Sequence, residues 1–229
     1  MIINLPKQFT IYHKEKGKLL AYIENGVLRY TSDQVSLCQV MPYIAYALNE
    51  KKYCAYCGKQ IKNKKEFTID HVVPQDFGGP TISNNLILSC SKCNNEKGNM
   101  TKEEYDEFKR IKKSIAPKKL KRFKEELQIR QRKRRERGEL VIPEEWITRM
   151  KVEDIATKTI EVRGTQYKSF KRYLKVKKFY NKYGYFRNFP IVDKNYRLLE
   201  GWSQIQICRD MDLKEVDVIV LENVIGVIL

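Results

Sequence analysis

Four cysteines set in two pairs, Cys54-Ala-Tyr-Cys57 and Cys90-Ser-Lys-Cys93, constrain this chain more than any other feature of its 229 residues. Two thiolates separated by two residues reach one ion from a single tight turn, and a second such turn completes a closed tetrahedral site with no vacant position. Zn²⁺ held this way is structural. It staples a segment of roughly fifty residues that is too poor in apolar side chains to fold on a core of its own.

The residues between the pairs carry chemistry. Glu66-Phe67-Thr68-Ile69-Asp70-His71 is apolar and β-branched enough to form a strand. Val72 to Pro80 follows as a loop, because Gly78-Gly79-Pro80 forbids regular structure. Asn84-Asn85-Leu86-Ile87-Leu88 leads as a second strand into Cys90, and Thr101-Lys102-Glu103-Glu104 starts a helix with Thr101 as cap and Glu104 as its capping-box partner. A strand, loop, strand and helix in this order set the end of the first strand opposite the start of the helix, with a hard cation between them.

Only His13 and His71 can act as imidazole bases. His13 lies in the polar turn Tyr12-His13-Lys14-Glu15 without a ligand partner, whereas His71 follows a carboxylate directly. Asp70 and the amide oxygen of Asn94 are hard ligands that suit Mg²⁺ or Mn²⁺ and leave water positions open. A hard cation and a neutral imidazole are what phosphodiester hydrolysis requires: one neutralises charge on the phosphate and leaving oxygen, the other takes a proton from water.

These residues resemble the HNH endonuclease family, in the subtype whose ββα-metal unit is braced by two C-x2-C pairs. The shared signature is Cys54-x2-Cys57, Asp70-His71-x2-Pro74, Gly78-Gly79, Asn85-Leu86 and Cys90-x2-Cys93-Asn94-x2-Lys97-Gly98, covering roughly residues 50 to 105. The resemblance implies that Asp70 and Asn94 ligate the catalytic divalent metal, that His71 is the general base, and that Asn85 holds the long loop by side-chain to backbone hydrogen bonds. Lys97 falls among the expected DNA contacts. Many members carry histidine directly after the last cysteine, where this chain has Asn94. Such nucleases occur in phages, mobile elements and restriction or defence systems. A zinc-containing DNA-binding regulator without catalysis is the alternative, and the set Asp70, His71 and Asn94 argues against it.

No run of eighteen apolar residues exists, so no membrane span is expected. The start, Met1-Ile2-Ile3-Asn4-Leu5-Pro6-Lys7, lacks the regions of a signal peptide; a cytoplasmic setting, in a prokaryotic cell or a phage-infected host, is expected, with paired thiols for metal and not disulfides. Cys38 and Cys208 stand alone in apolar surroundings and read as buried small hydrophobes.

The net charge is +17, and it is unevenly spread. Lys109 to Arg137 holds fifteen Lys or Arg against three Glu, a net of +12. This segment predicts a basic helical arm, broken at Ala116-Pro117 and closed by Gly138, with Arg130, Arg132, Lys133, Arg134 and Arg135 set against DNA phosphates. A second block, Arg163 to Arg187, has nine Lys or Arg, no acid and eight aromatics; part of the aromatic set reads as core, and Lys171 and Arg172 as phosphate contacts.

Phe189 to Gly201 reads as strand, Asp-Lys-Asn turn and strand, Ser203 to Met211 as a short helix, and Val216 to Leu221 and Val224 to Leu229 as strands. This order, roughly residues 150 to 229, resembles the core of the ParB/sulfiredoxin-like fold. Gln204 replaces that family's phosphate-binding arginine, so the resemblance implies a degenerate module that binds DNA or a protein partner. Near the start, Phe9-Thr10-Ile11-Tyr12, Ala21-Tyr22-Ile23 and Gly26 to Tyr30 predict a small sheet, and Leu37 to Leu48 an amphipathic helix. The expected fold is thus α+β: an N-terminal extension over 1–50, a zinc-stapled ββα-metal core over 51–108, a basic helical linker over 109–150 and a ParB-like α/β module over 151–229.

Overall fold

The computed structural model describes residues 8–12, 19–24, 27–30, 52–62, 66–156 and 166–221. The chain divides into two compact units, one made of Asn49–Ile142 and the other of Met1–Leu48 with Pro143–Leu229. Within the described residues the architecture is α+β, as composition and pattern imply.

The N-terminal strands β1 (Gln8–Tyr12), β2 (Leu19–Glu24) and β3 (Val27–Tyr30) form an antiparallel sheet in that order. The helix expected over Leu37 to Leu48, His13 and Cys38 all lie outside the described residues.

In the unit Asn49–Ile142, β4 (Phe67–His71) pairs antiparallel with β5 (Leu86–Cys90), in a register that sets Phe67 opposite Cys90 and His71 opposite Leu86. The chain then turns without a break into α1 (Ser91–Lys97), so the second cysteine pair straddles the end of a strand and the first turn of a helix. Next comes α2 (Lys102–Ser114), begun by the capping box of Thr101 and Glu104: the Thr101 hydroxyl accepts from Glu104 N–H at 3.3 Å and Glu104 Oε2 accepts from Thr101 N–H at 3.0 Å. Tyr105 and Phe108, one turn apart on α2, are wholly buried and give this unit its aromatic core, with the Tyr105 ring edge-on to Tyr56 at 5.0 Å.

Pro117 ends this run, because its ring cannot continue α2, yet it opens α3 (Pro117–Arg137) at the one helical position where a missing N–H is harmless. Gly138 closes α3 in the left-handed region at φ 72°, where a side chain would be strained. Along α3, Leu127, Gln131 and Gly138 are buried and Arg134 is partly so, a stripe at helical spacing that faces the unit. Residue 108 lies in the middle of α2, and the basic helix packs as part of the compact unit that ends at Ile142.

Residues from 143 onward form β6 (Thr148–Lys151), α4 (Gln166–Tyr183), β7 (Ile191–Asp193), β8 (Leu198–Glu200), α5 (Trp202–Asp210) and β9 (Glu215–Leu221). The sheet order is β6-β9-β7-β8, with β7 and β9 parallel and the other pairs antiparallel. Its core joins Met150, Phe186, Val192, Leu198, Ile205, Cys208 and Val218, against which Tyr173, Val176 and Tyr180 of α4 pack. Part of the aromatic set is therefore core, while Phe170 stays 60% exposed. Residues 224–229 lie outside the described residues. None of the described helices is long and apolar enough to cross a membrane.

Candidate active site

The four cysteine sulfurs all lie within 4.8 Å of one another, with Sγ of Cys57 and Cys90 4.0 Å apart. Four thiolates about 2.3 Å from a tetrahedral zinc stand about 3.8 Å apart, so a small closing motion makes the cluster a zinc site. Cys54, Cys90 and Cys93 are buried and Cys57 is exposed. Burial alone would raise the Cys54 thiol, but hydrogen bonds from the backbone of Cys90, Cys57 and Tyr56 outweigh it and bring the thiol down to about 7. Burial pushes Cys93 and Cys57 up. A cation that binds the four sulfurs takes them as thiolates and displaces their protons into the solvent.

The cysteine turn is tied to the hairpin by Ala55 N–H donating to Leu88 O at 2.9 Å. Inside the turn, the buried Tyr56 donates its hydroxyl to Oδ2 of Asp70, near the end of β4. Asp70 is only 5% exposed, and its Oδ2 also meets Nζ of Lys97 at 3.0 Å. Lys97 Nζ donates to His71 O at 2.8 Å as well, and its side chain has no exposed surface. This burial corrects the expectation that Lys97 contacts DNA: the ammonium faces inward because Asp70 would otherwise be an uncompensated buried charge.

Successive strand residues point to opposite faces, so His71 leaves β4 on the side away from Asp70 and toward the long loop. Its Nε2 lies 3.0 Å from Thr81 Oγ1, to which Gln75 Nε2 donates at 3.1 Å. If Nε2 carries the proton and gives it to Thr81, Nδ1 is the free basic nitrogen. Burial pushes the imidazole below its ordinary value; the Lys97 ammonium acts in the same direction, and the Asp70 carboxylate opposes both. His71 is thus neutral, and able to accept a proton, at neutral pH.

Asn85 holds the loop at three points. Its Oδ1 accepts from Val73 N–H at 2.8 Å, and its Nδ2 donates to Val73 O at 3.0 Å and to Pro80 O at 2.8 Å. Gly79 makes this closure possible, since a Cβ there would sit 1.8 Å from Val73 O. Asn94 lies one turn before Lys97 on α1, so the two share a helix face, and Lys97 marks that face as the one turned to Asp70.

A buried carboxylate and a loop-held histidine thus lie at the end of one strand, backed by a short helix and flanked by four clustered cysteines. Residues 54–100 match the family model of the HNH endonuclease. No curated protein is significantly similar to the chain. The HNH match takes in both cysteine pairs, Asp70, His71, Asn85, Asn94 and Lys97, and it points to nuclease activity. It stops at residue 100, so it lends nothing to the ParB-like reading of residues 150 to 229. There, Gln204 is 3% exposed and donates from Nε2 to Asn188 O at 2.8 Å, a buried packing position.

The arm residues outside the HNH match divide by face. Arg134 pairs with Glu104 at 2.5 Å and Glu139 at 3.4 Å and lies over the Phe77 ring at 5.9 Å, while Arg135 stands 3.8 Å from Asp76. These two tie α3 to the loop that follows His71; Arg134 is partly buried there, while Arg135 remains exposed. Arg130, Arg132 and Lys133 are exposed, as are Lys171 and Arg172 on α4.

Sequence reasoning missed Tyr56 and Thr81, which contact Asp70 and His71, and Gln75, which donates to Thr81. An aromatic inside a cysteine turn and polar residues in a glycine-rich loop give no local signal; only the hairpin fold brings them to Asp70 and His71.

Proposed function

We propose that the unit Asn49–Ile142 is a metal-dependent endonuclease that hydrolyses phosphodiester bonds in DNA. The observation that carries this reading is His71, neutral and held by Thr81, at the end of the strand whose penultimate residue is the buried carboxylate Asp70. Cys54, Cys57, Cys90 and Cys93 hold structural zinc. Asp70 and Asn94, both oxygen donors, hold Mg²⁺ or Mn²⁺, which when bound neutralises charge on the phosphate and the departing oxygen.

The chain's own groups do the rest. Nδ1 of His71 takes the proton from the attacking water. Thr81 and Gln75 fix the ring, and Asn85 fixes the loop that carries them. Lys97 and Tyr56 both occupy Oδ2 of Asp70, so Oδ1 is the oxygen that would serve a bound cation. Arg130, Arg132 and Lys133 on α3, with Lys171 and Arg172 on α4, are exposed cations suited to backbone phosphates.

Incubation of the purified protein with supercoiled plasmid and Mg²⁺ or Mn²⁺ tests the reading. Nicked or linear products that need the divalent cation are expected; intact plasmid with both metals, from zinc-loaded protein, would overturn it.

A further inference from the structure

The charge beside the candidate metal site sums to zero. Asp70 is the one carboxylate among the residues assigned to it, and Asn94 is a neutral amide. Against Asp70 stands Lys97, with Nζ 3.0 Å from Oδ2 and no exposed surface, so water cannot screen the ammonium. A divalent cation arriving at Asp70 meets a carboxylate already neutralised by a resident cation, and one whose Oδ2 also accepts the Tyr56 hydroxyl. Hard cations bind such a site weakly, because a single shared carboxylate does not offset the loss of their hydration water.

We propose that Lys97 is a built-in counter-cation of Asp70, which holds the free protein's affinity for the catalytic metal down until a nucleic-acid phosphate supplies the missing negative charge. The inference rests on the nuclease reading, which gives Asp70 to the metal. It separates from a purely structural role by sign. A lysine that only props Asp70 in place would, on removal, loosen the carboxylate and weaken metal binding. A lysine that competes for the carboxylate would, on removal, strengthen it.

The experiment measures Mn²⁺ binding to zinc-loaded full-length protein, by calorimetry and by loss of the free Mn²⁺ electron paramagnetic resonance signal, without nucleic acid. Lys97→Met should bind Mn²⁺ about tenfold or more tightly than the wild type, and Lys97→Arg, which keeps the charge, should stay weak. Equal or weaker binding by a folded Lys97→Met protein with full zinc content overturns the proposal. Should that variant fail to fold, His71→Ala protein decides: adding a DNA duplex must tighten Mn²⁺ binding in a manner lost in the His71→Ala/Asp70→Ala double variant, and no tightening sinks the idea. Plasmid cleavage by the wild type is run alongside. Cleavage with an unimproved Lys97→Met leaves the nuclease reading standing and removes only the role of Lys97; absence of cleavage removes the reading beneath it.

Discussion

The hydroxyl of Tyr56 donates to Oδ2 of Asp70, so a residue inside the first cysteine turn holds the carboxylate next to the candidate base. Burial, and then the Asp70 hydrogen bond itself, push the Tyr56 phenol far above its ordinary value and keep it a donor. The cysteine cluster and the candidate catalytic carboxylate are thereby linked through one side chain. Tyr56→Phe should retain its zinc, lose about 1–2 kcal/mol of stability and cleave more slowly. Zinc analysis, urea unfolding and plasmid nicking on one preparation check this; wild-type stability and rate together would show that the link does nothing.

Zinc removal should act on folding before it acts on chemistry. Cys57 is the exposed member of the cluster, and its replacement opens the tetrahedron without creating a cavity. Cys57→Ser should lose zinc and with it the cooperative unfolding of the unit Asn49–Ile142. A strong chelator should do the same to the wild type, and a chelated protein with unchanged melting would remove the staple from the account.

His71→Ala should lower cleavage about 10²–10⁴-fold and leave zinc content intact. Thr81→Val keeps the shape but loses the hydroxyl 3.0 Å from Nε2, so it should fall between the two. Thr81→Ser should recover most of the rate. If valine and serine behave alike, the hydroxyl does not orient the ring.

Acid should weaken this unit through Glu96. Burial alone would raise its carboxyl, yet hydrogen bonds from Lys112 and Tyr105 outweigh that and hold it below the ordinary range. A carboxylate depressed in the folded state stabilises it above the ordinary glutamate value and ceases to do so as the pH falls through the lower, folded value. Glu96→Gln should therefore cost about 1 kcal/mol at pH 7, and the gap to wild type should close in acid. Paired urea titrations at neutral and acid pH measure it.

Arg130, Arg132 and Lys133 should contribute to DNA affinity, and Arg134 to stability. Neutralising the first three should flatten the slope of log affinity against log salt by up to about three units and weaken binding on all sequences alike. Arg134→Gln, which breaks contacts to Glu104, Glu139 and Phe77, should lower the melting temperature. A salt slope unmoved by the triple variant would take the exposed face of α3 off the DNA.

Much of the site is legible in the residue order, because it is built from local devices. The cysteine spacings, the Asp70-His71 pair, the Thr101–Glu104 box, the Pro117 break and the Gly138 stop each act over a few residues, and each appears in the structure where the pattern sets it. What escaped depends on which way a helix is turned. Seven residues with two asparagines and no apolar period do not announce α1, which forms because the second cysteine pair and Lys97 anchor both of its ends. Likewise nothing in the run Arg132-Lys133-Arg134-Arg135 tells that its second half faces Glu104 and Asp76, since those acids come from elsewhere in the chain.

Gly79 bears on how this protein can vary. A single methyl at that position would overlap the Val73 carbonyl and press on the Asn85 amide, 2.9 Å away. The contacts among Val73, Gly79 and Asn85 thus leave no room for a larger residue at position 79. A side chain grown on that glycine would disturb the loop that follows His71 without touching the histidine itself, so on the proposed reading the bare Gly79 belongs to the catalytic equipment as fully as the histidine does.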